Sequence, residues 1–475
     1  MEPQLLRIGA EHRRTDQVET IASPWDGAPV GRLCVGGARD VDDAIAAAAE
    51  AFSVMRILPT HARAGVLERA ATFIERDGEE LARLMAREGG KPIRFARGEV
   101  ARAVMTFKLG AEEARRLGGE VLPVDLEPRA EGRLCLTRRF PRGPVGAIAP
   151  FNFPLNLVAH KLSPAIAAGT SVVLKPPPQA PLTSLWLAEI LDEAGLPPGA
   201  LSVVHCPPSA AQRMVEDERI KVLSFTGSDA VGWKLKSLSG KKHVLLELGG
   251  NAPCVVDETV DLEPVLDAIV GGAWAHAGQV CIKVQRILVH AALFQRFLSA
   301  FVQRSRALRC GDPLDEATVV GPLIERRHVE RVLEWIRAAL AAGAELHCGG
   351  EAEGSVVRPT VLTGVPDQAR VCKDEVFGPV TVVEPFEDYG AALARCNATR
   401  FGLQAGVFTR DLGRALAAFA ELDYGGVMVN DVPTFRVDNY PYGGTKDSGL
   451  GREGVRSAVE ELTEPRVLVL RGPLG

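Results

Sequence analysis

At 475 residues, with 46% apolar and 24% charged side chains, the chain is long enough for two or three domains. Its net charge of -5 excludes the basic surface that a nucleic-acid partner would need. Nothing approaches the roughly 18 uninterrupted apolar residues of a membrane helix, and Met1 to Arg14 lacks the apolar core of a secretory leader. A cytoplasmic protein without membrane contact is expected.

Asp40 is placed to cap a helix running through Ala44 to Phe52, and Gly89-Gly90 ahead of Lys91-Pro92 forms a stop signal. Another helix is expected from about Gly98 to Gly118-Gly119. Near Pro144 the rhythm changes. Short apolar runs (Val145 to Ala149, Ser171 to Leu174, Leu201 to His205, Lys221 to Phe225, Val244 to Leu248) alternate with helical stretches headed by Pro154, Pro181, Ser209 and Ser228. Strands spaced by helices imply parallel βαβ units and a doubly wound sheet of nucleotide-binding type. After Glu247 the pattern repeats more loosely, through Ile287 to Val289, Phe294 to Leu308, Arg326 to Ala342 and Val380 to Val383, which leaves room for a second α/β domain. Arg133 to Phe140 and Arg466 to Leu470 stand outside both as isolated strands. Their open edges require pairing with each other or with a partner subunit, so an oligomer is expected.

Nine cysteines are scattered singly with no CxxC pair, which suits neither a zinc cage nor a disulfide framework. No metal is expected, and most of these thiols should be buried small hydrophobes. One stands apart: Gly278-Gln279-Val280-Cys281 follows a small-residue stretch and precedes a strand, a junction that can present a nucleophile if its thiolate is stabilised. In Glu247-Leu248-Gly249-Gly250 a carboxylate ends an apolar strand, where partial burial would raise its pKa toward the general-base range. Asn152, within Pro150-Phe151-Asn152-Phe153-Pro154 at another strand end, is a candidate oxyanion donor.

The ordinary GxGxxG fingerprint is missing. Instead Phe225-Thr226-Gly227-Ser228 leaves a strand and enters a helix, with Gly232 four residues beyond Ser228. Gly227 permits the tight turn, and the helix start offers free N–H groups to a pyrophosphate. Lys175 ends its strand where ligands collect over parallel sheets. Taken singly, this loop also fits a structural turn, and Lys175 a surface lysine.

In this order the motifs are specific. With Leu174-Lys-Pro176, Glu375-Val-Phe-Gly-Pro379 and Pro441-Tyr-Gly-Gly444, the chain resembles the aldehyde dehydrogenase superfamily from about residue 20 to its end. Asn430 to Glu453 is most similar to the lactaldehyde and non-phosphorylating glyceraldehyde-3-phosphate dehydrogenase branch. The resemblance implies two doubly wound α/β domains plus a small β oligomerisation element. Residues 1–120 and 142–246 would form the cofactor-binding domain, 247–448 the catalytic domain, and 121–141 with 449–475 the oligomerisation strands of a homodimer or homotetramer.

By the same resemblance, Cys281 is the nucleophile, Glu247 the base, and Asn152 with the Cys281 N–H the oxyanion donors. Lys161 lies near the active site, and Glu464 matches a glutamate used in proton relay. An aldehyde would be oxidised through a thiohemiacetal and a thioester, with NAD or NADP as acceptor. Glu375 and Phe377 would hold the nicotinamide half, Lys175 and Ser228 the adenosine ribose and pyrophosphate, and Phe151, Gly227 and Gly249 would complete the cofactor contacts. Strongly NAD-selective members carry a glutamate three residues after the lysine; here that position is Pro178, so NADP becomes admissible.

Phe153, Leu157, His160, Ile282 and Tyr442 match positions lining the aldehyde tunnel. Lys283, Arg102 and Arg436 are candidates for an anionic substrate group, Lys283 equally fitting a lysine turned to solvent. His160 and His276 need no catalytic role. The alternatives are a CoA-acylating semialdehyde dehydrogenase, which generally lacks the Glu247 carboxylate, a silent binding protein of the same fold, and a cysteine hydrolase, for which no histidine base is marked.

Overall fold

The computed structural model describes residues 2–472. All five expected apolar runs are strands, Val145–Ile148, Val172–Lys175, Leu201–Val203, Val222–Thr226 and His243–Glu247, and all pair in parallel. They form the centre of an eight-stranded sheet in which Val145–Ile148 lies between Val172–Lys175 and Val222–Thr226. The chain winds outward in both directions from that strand. Such a switch point opens a crevice at the carboxyl ends of the strands, and the Phe151 and Gly227 loops leave from it.

The strands are apolar on both faces because both are covered. Val172 and Leu174 join a core with the helices Thr60–Arg76, Ile93–Arg116 and Asn156–Ala168. Val173 faces the other way, onto the helices Ala38–Met55 and Pro208–Glu216.

A second, seven-stranded sheet carries Ala252–Val256, Val284–His290, Thr360–Thr363, Val380–Phe386, Gln404–Phe408 and Gly426–Val429 in parallel, with Glu345–Cys348 antiparallel at one edge. The chain passes from the end of the Glu247 strand in the first sheet directly into Ala252 of the second. The carboxyl edge of one sheet therefore faces the amino edge of the other.

Arg133–Pro141 and Thr463–Arg471 pair with each other in antiparallel register along nearly their whole length, with Val121–Leu122 as a third strand. Val467 to Leu470 stay exposed, Val467 at 64%. The stretch 449–475 does not all belong here. Gly449–Leu450 closes the edge of the first sheet against His243–Glu247, and Val455–Leu462 is a helix that buries Val455, Ala458, Val459 and Leu462, spaced for one helical face. Residues 473–475 lie outside the described residues.

Two helix starts also differ from expectation. Asp40 lies three residues inside the first helix and accepts the Gly37 N–H at 2.8 Å, so the reciprocal arm of a capping box replaces a simple cap. The later helix begins at Ile93, just after Pro92, and runs through Gly98 because Ala96, Glu99 and Val100 on its buried face outweigh the local cost of glycine. No helix among the described residues is long and apolar enough to cross a membrane. None of their His, Cys, Asp and Glu residues cluster as a metal site, and all nine cysteines are free.

Candidate active site

Between the two sheet edges lies a cavity of about 530 Å³, lined by Phe151, Asn152, Glu247, Cys281, Glu375 and Tyr442 among others. The cysteine and the Glu375 loop of the second domain arrive on segments that enter the strands Val284–His290 and Val380–Phe386. The segment before Val284–His290 is the most contorted. His276, Ala277 and Gly278 have φ of 51°, 53° and 68°, a left-handed run costly for the two non-glycine residues. A Cβ on Gly278 would lie 2.4 Å from the Gly378 carbonyl oxygen, so only glycine lets this segment pass the 374–379 loop. Gln279 pins the turn, its side-chain oxygen accepting the Ile324 N–H at 3.0 Å and its carbonyl accepting Asn152 Nδ2 at 2.9 Å.

Cys281 follows, half-buried, with Sγ 3.2 Å from the Tyr442 hydroxyl. Burial pushes its thiol up to about 11, against the pull of Tyr442 and Arg436. The resting sulfur is therefore a thiol. Asn152 spends one amide hydrogen on Gln279 and retains a second for a ligand.

Glu247 is buried at its strand end, and its Oε2 has no hydrogen-bond partner. Burial first, then the neighbouring Glu453 carboxylate, raises it well above the ordinary carboxylate range, while Arg436, Lys161 and Arg452 oppose the rise. Lys161 Nζ donates to Ser224 Oγ at 3.0 Å and Thr226 Oγ1 at 2.7 Å, and stands 3.7 Å from Glu453 Oε1. Arg436 Nη2 donates to Glu453 Oε2 at 2.9 Å. Burial works to raise Glu453 too, but Lys161, Arg436 and His160 outweigh it and hold the carboxyl low.

The carboxylate beside Lys161 is thus Glu453, not Glu464. Glu464 lies on the Thr463–Arg471 strand with Arg142 at 3.5 Å and Arg466 at 3.0 Å, outside the cavity. Sequence reasoning had a signal for Glu453 in the glycine-rich run Gly449-Leu-Gly-Arg-Glu-Gly454. Backbone bonds to Tyr442 at 2.9 and 2.6 Å fold that run back onto the site.

Ser228 precedes the helix Asp229–Leu238, and its hydroxyl makes no capping bond, so the first-turn N–H groups remain open toward the cavity. A Cβ on Gly232 would meet the Leu248 side chain at 2.4 Å, so the glycine allows the helix to approach that closely. Glu375 Oε1 accepts the Gly250 N–H at 2.9 Å, and a Cβ on Gly249 would lie 2.5 Å from Glu375 Oε2. Burial raises Glu375 to about 7. Phe377, left-handed at φ 45°, meets Phe151 edge to face with centroids 6.0 Å apart. A helix start, a hydroxyl acceptor and two aromatic faces suit a nicotinamide dinucleotide. Lys175 and Pro178 lie beyond this cavity; Lys175 pairs in register with Ile148 along the same carboxyl edge, and Pro178 is exposed.

On the opposite side, Phe153, Leu157, Ile282 and Tyr442 line the cavity. His160 does not. It is buried one turn behind Leu157, its Nε2 2.8 Å from Asp438 Oδ1. Asp438 also accepts Arg102 Nη2 at 2.6 Å. Arg102 and Arg436 both reach the cavity, Arg436 lying 3.7 Å over the Tyr442 ring with its Nε unpartnered. Lys283 neither lines the cavity nor meets solvent; it is buried, and its Nζ donates to the Val380 carbonyl.

Fold and cavity together define a two-domain α/β protein that sets a thiol and a buried carboxylate beside a dinucleotide-type cradle. The family model for the aldehyde dehydrogenase family matches residues 11–468. A 3-sulfolactaldehyde dehydrogenase of Priestia aryabhattai is 41% identical over 466 residues, covering 98% of this chain and 97% of that one. Among solved structures, aldehyde dehydrogenase 21 of Physcomitrella patens, in complex with the reaction product succinate, superposes with a TM-score of 0.97 at 40% identity, covering 99% of each chain. Glyceraldehyde-3-phosphate dehydrogenase GapN of Methanocaldococcus jannaschii, complexed with NADP, gives 0.93 at 37% identity, covering 96% of this chain and all of that one. The chain belongs to the aldehyde dehydrogenase family.

Proposed function

We propose that the chain oxidises a small aldehyde carrying an anionic group to its carboxylic acid, with NAD or NADP as acceptor. The observation that carries the substrate class is the pair Arg102 and Arg436 on the aldehyde side, Arg436 with a buried and unpartnered Nε. A buried unpaired donor costs free energy that an anion would recover. The reading is supported by the names of three similar proteins, which mention 3-sulfolactaldehyde, the product succinate and glyceraldehyde-3-phosphate.

Cys281 Sγ attacks the aldehyde carbon after its proton passes to Glu247. The oxygen that becomes negative is met by the free Asn152 amide hydrogen and the Cys281 N–H. A bound nicotinamide supplies the hydride acceptor. Glu247 first gives up the Cys281 proton toward Glu453 and Lys161 and then, with one unpartnered oxygen and a raised pKa, takes a proton from the water that cleaves the thioester. Glu453 and Lys161, behind it, offer that proton a route outward. When the dinucleotide is bound, Glu375 would hold the nicotinamide ribose hydroxyls and Phe151 and Phe377 would offer apolar contact to the nicotinamide half. Lys175 and Ser228 serve the adenosine ribose and pyrophosphate, and Pro178 places no charge against a 2′-phosphate. The free thiols suit the reducing cytoplasm.

The assembly is a homodimer or homotetramer. The Thr463–Arg471 strand has one open edge and exposed Val467 to Leu470, while Leu412, Leu416 and Phe419 are exposed on the helix beside the edge strand Gly426–Val429. A second copy covers both.

The test is a panel of aldehydes that differ only in their far end, carboxylate, sulfonate, phosphate or the uncharged amide, with reduced cofactor and acid product measured without CoA. The anionic members should be preferred in kcat/KM, and Arg436→Leu should erase the preference. Equal turnover of the amide would overturn the substrate class.

A further inference from the structure

The 374–379 loop that carries Glu375 and Phe377 has no regular structure, yet carbonyls along it and at its end, where the strand Val380–Phe386 begins, are held by side chains. Asn251 and Gln285 side chains donate to the Asp374 carbonyl at 3.1 and 2.6 Å. Arg331 donates to the Val376 carbonyl, and Gln285 Oε1 accepts the Val376 N–H, at 2.7 and 2.9 Å. The last anchor is Lys283, whose ammonium meets the Val380 carbonyl. Its stem passes beside the nucleophile segment, with Cδ 3.1 Å from the position a Cβ would take on Gly278, the same position that abuts the Gly378 carbonyl. Lys283 therefore spans from two residues beyond Cys281 to the far end of the loop that bears Glu375.

A buried ammonium with one carbonyl acceptor is expensive unless a counter-charge is near. Among the described groups, Glu375 is the one charge that acts on Lys283. Glu375 in turn feels Lys283, Arg331 and Asp229, and accepts the Gly250 N–H. We propose that Lys283 is a positioning residue for the cofactor: it ties the nucleophile segment to the end of the 374–379 loop and, together with Arg331, helps keep Glu375 an acceptor for the nicotinamide ribose. This rests on the reading of Glu375 given above.

Burial lowers Lys283 to about 7 and raises Glu375 to about 7, and each resists the other's shift. Cofactor affinity in the native enzyme should then peak near neutrality. On the acid side Glu375 gains a proton and ceases to accept from both hydroxyls; on the alkaline side Lys283 loses its proton and Glu375 keeps only Arg331 as a counter-charge. Lys283→Met removes the alkaline limb and moves the acid limb to higher pH, because the carboxyl has lost the cation that lowered it.

The experiment titrates the full-length protein with NADP, and separately with ADP as a probe for the adenosine half. Binding is followed between pH 5.5 and 9 by quenching of tryptophan fluorescence, for which Trp335 lines the cavity. Lys283→Met is expected to weaken NADP by about tenfold near pH 7, the equivalent of one pKa unit, and to leave ADP unchanged. Lys283→Gln retains a donor for the Val380 carbonyl without the charge; it should recover melting temperature but not the alkaline limb, and it serves if the methionine variant fails to fold. In a Glu375→Gln background, Lys283→Met should add no further loss. Equal weakening of NADP and ADP, or a changed melting temperature with an unchanged pH profile, overturns the inference. Strong weakening by Glu375→Gln with none from Lys283→Met overturns it alone, whereas no effect of Glu375→Gln overturns the reading of the site beneath it.

Discussion

Replacing Glu453 by glutamine should make the hydrolytic half-reaction work at lower pH while making the protein less stable. Glu247 and Glu453 occupy one buried pocket with Lys161 and Arg436, and Glu453 is the second largest cause of the rise in Glu247, after burial. Removing one of two neighbouring carboxylate charges shifts the other by about 1 unit or more, here downward, since Lys161 and Arg436 now act on Glu247 alone. At a pH one unit below the native midpoint, the ionised fraction of Glu247 rises from roughly one-tenth to one-half, about a fivefold gain in deacylation. Stability moves the other way. Lys161, at 3.7 Å, and Arg436, at 2.9 Å, lose their carboxylate, and breaking a buried pair costs about 3–5 kcal/mol, offset in part by an ionised Glu247. Because Glu453 is held below its ordinary range, its stabilisation is present at neutral pH and disappears only as pH falls through its lowered pKa. Rapid-mixing kinetics separate the burst of reduced cofactor from the slower deacylation, and a pH series of the second phase reads Glu247 directly. An acid limb that stays in place, or moves upward, would refute the coupling.

Asn152→Ala should slow the burst phase by about 10²–10³, the usual cost of an oxyanion donor, with cofactor dissociation constants unchanged by fluorescence titration. Pro178→Glu places a carboxylate at the exposed position beyond Lys175, and should turn preference toward NAD, with NADP weakened by about tenfold or more through charge repulsion; steady-state KM values for both cofactors decide it. Leu468→Glu, on the exposed face of the Thr463–Arg471 strand, should shift sedimentation toward the monomer without altering the core.

The fold was most legible where the chain is buried on both faces. Val145–Ile148 and its four parallel neighbours have no solvent side, so their sequences are uninterrupted apolar runs that turn residues bracket cleanly. Legibility failed at the margins of the sheets. Gly449–Leu450 is two residues long and takes its place from the strand it pairs with, not from any pattern of its own. The order of strands was beyond reach for a similar reason, since burial fixes which segments are strands but helix packing fixes which strand lies beside which. The helix Val455–Leu462 was the avoidable miss, because its apolar residues keep helical spacing between the glycine at 454 and the strand at 463.

In the site, Asn152, Glu247, Cys281, Glu375 and Phe377 line one cavity while Lys175 and Pro178 lie beyond it, and groups that only tune charge were misplaced or missed. Glu247 and Glu453 are the same side chain in the same pocket, and their environments drive them apart: each keeps one oxygen with no donor, but Glu453 accepts from Arg436 at 2.9 Å and has Lys161 at 3.7 Å. Of the two, Glu247 therefore takes up a proton the more readily, and Glu453 stays the counter-ion of Arg436 and Lys161, a difference set wholly by tertiary contacts. Glu453 and Glu464 are both single glutamates near the end of the chain. What separates them is that Glu453 lies on a glycine-rich run hydrogen-bonded to Tyr442, whose hydroxyl touches Cys281. Cys281, Glu247 and Glu453 thus meet only after the polypeptide has closed on itself, which is why the class of chemistry could be read from the sequence and its tuning could not.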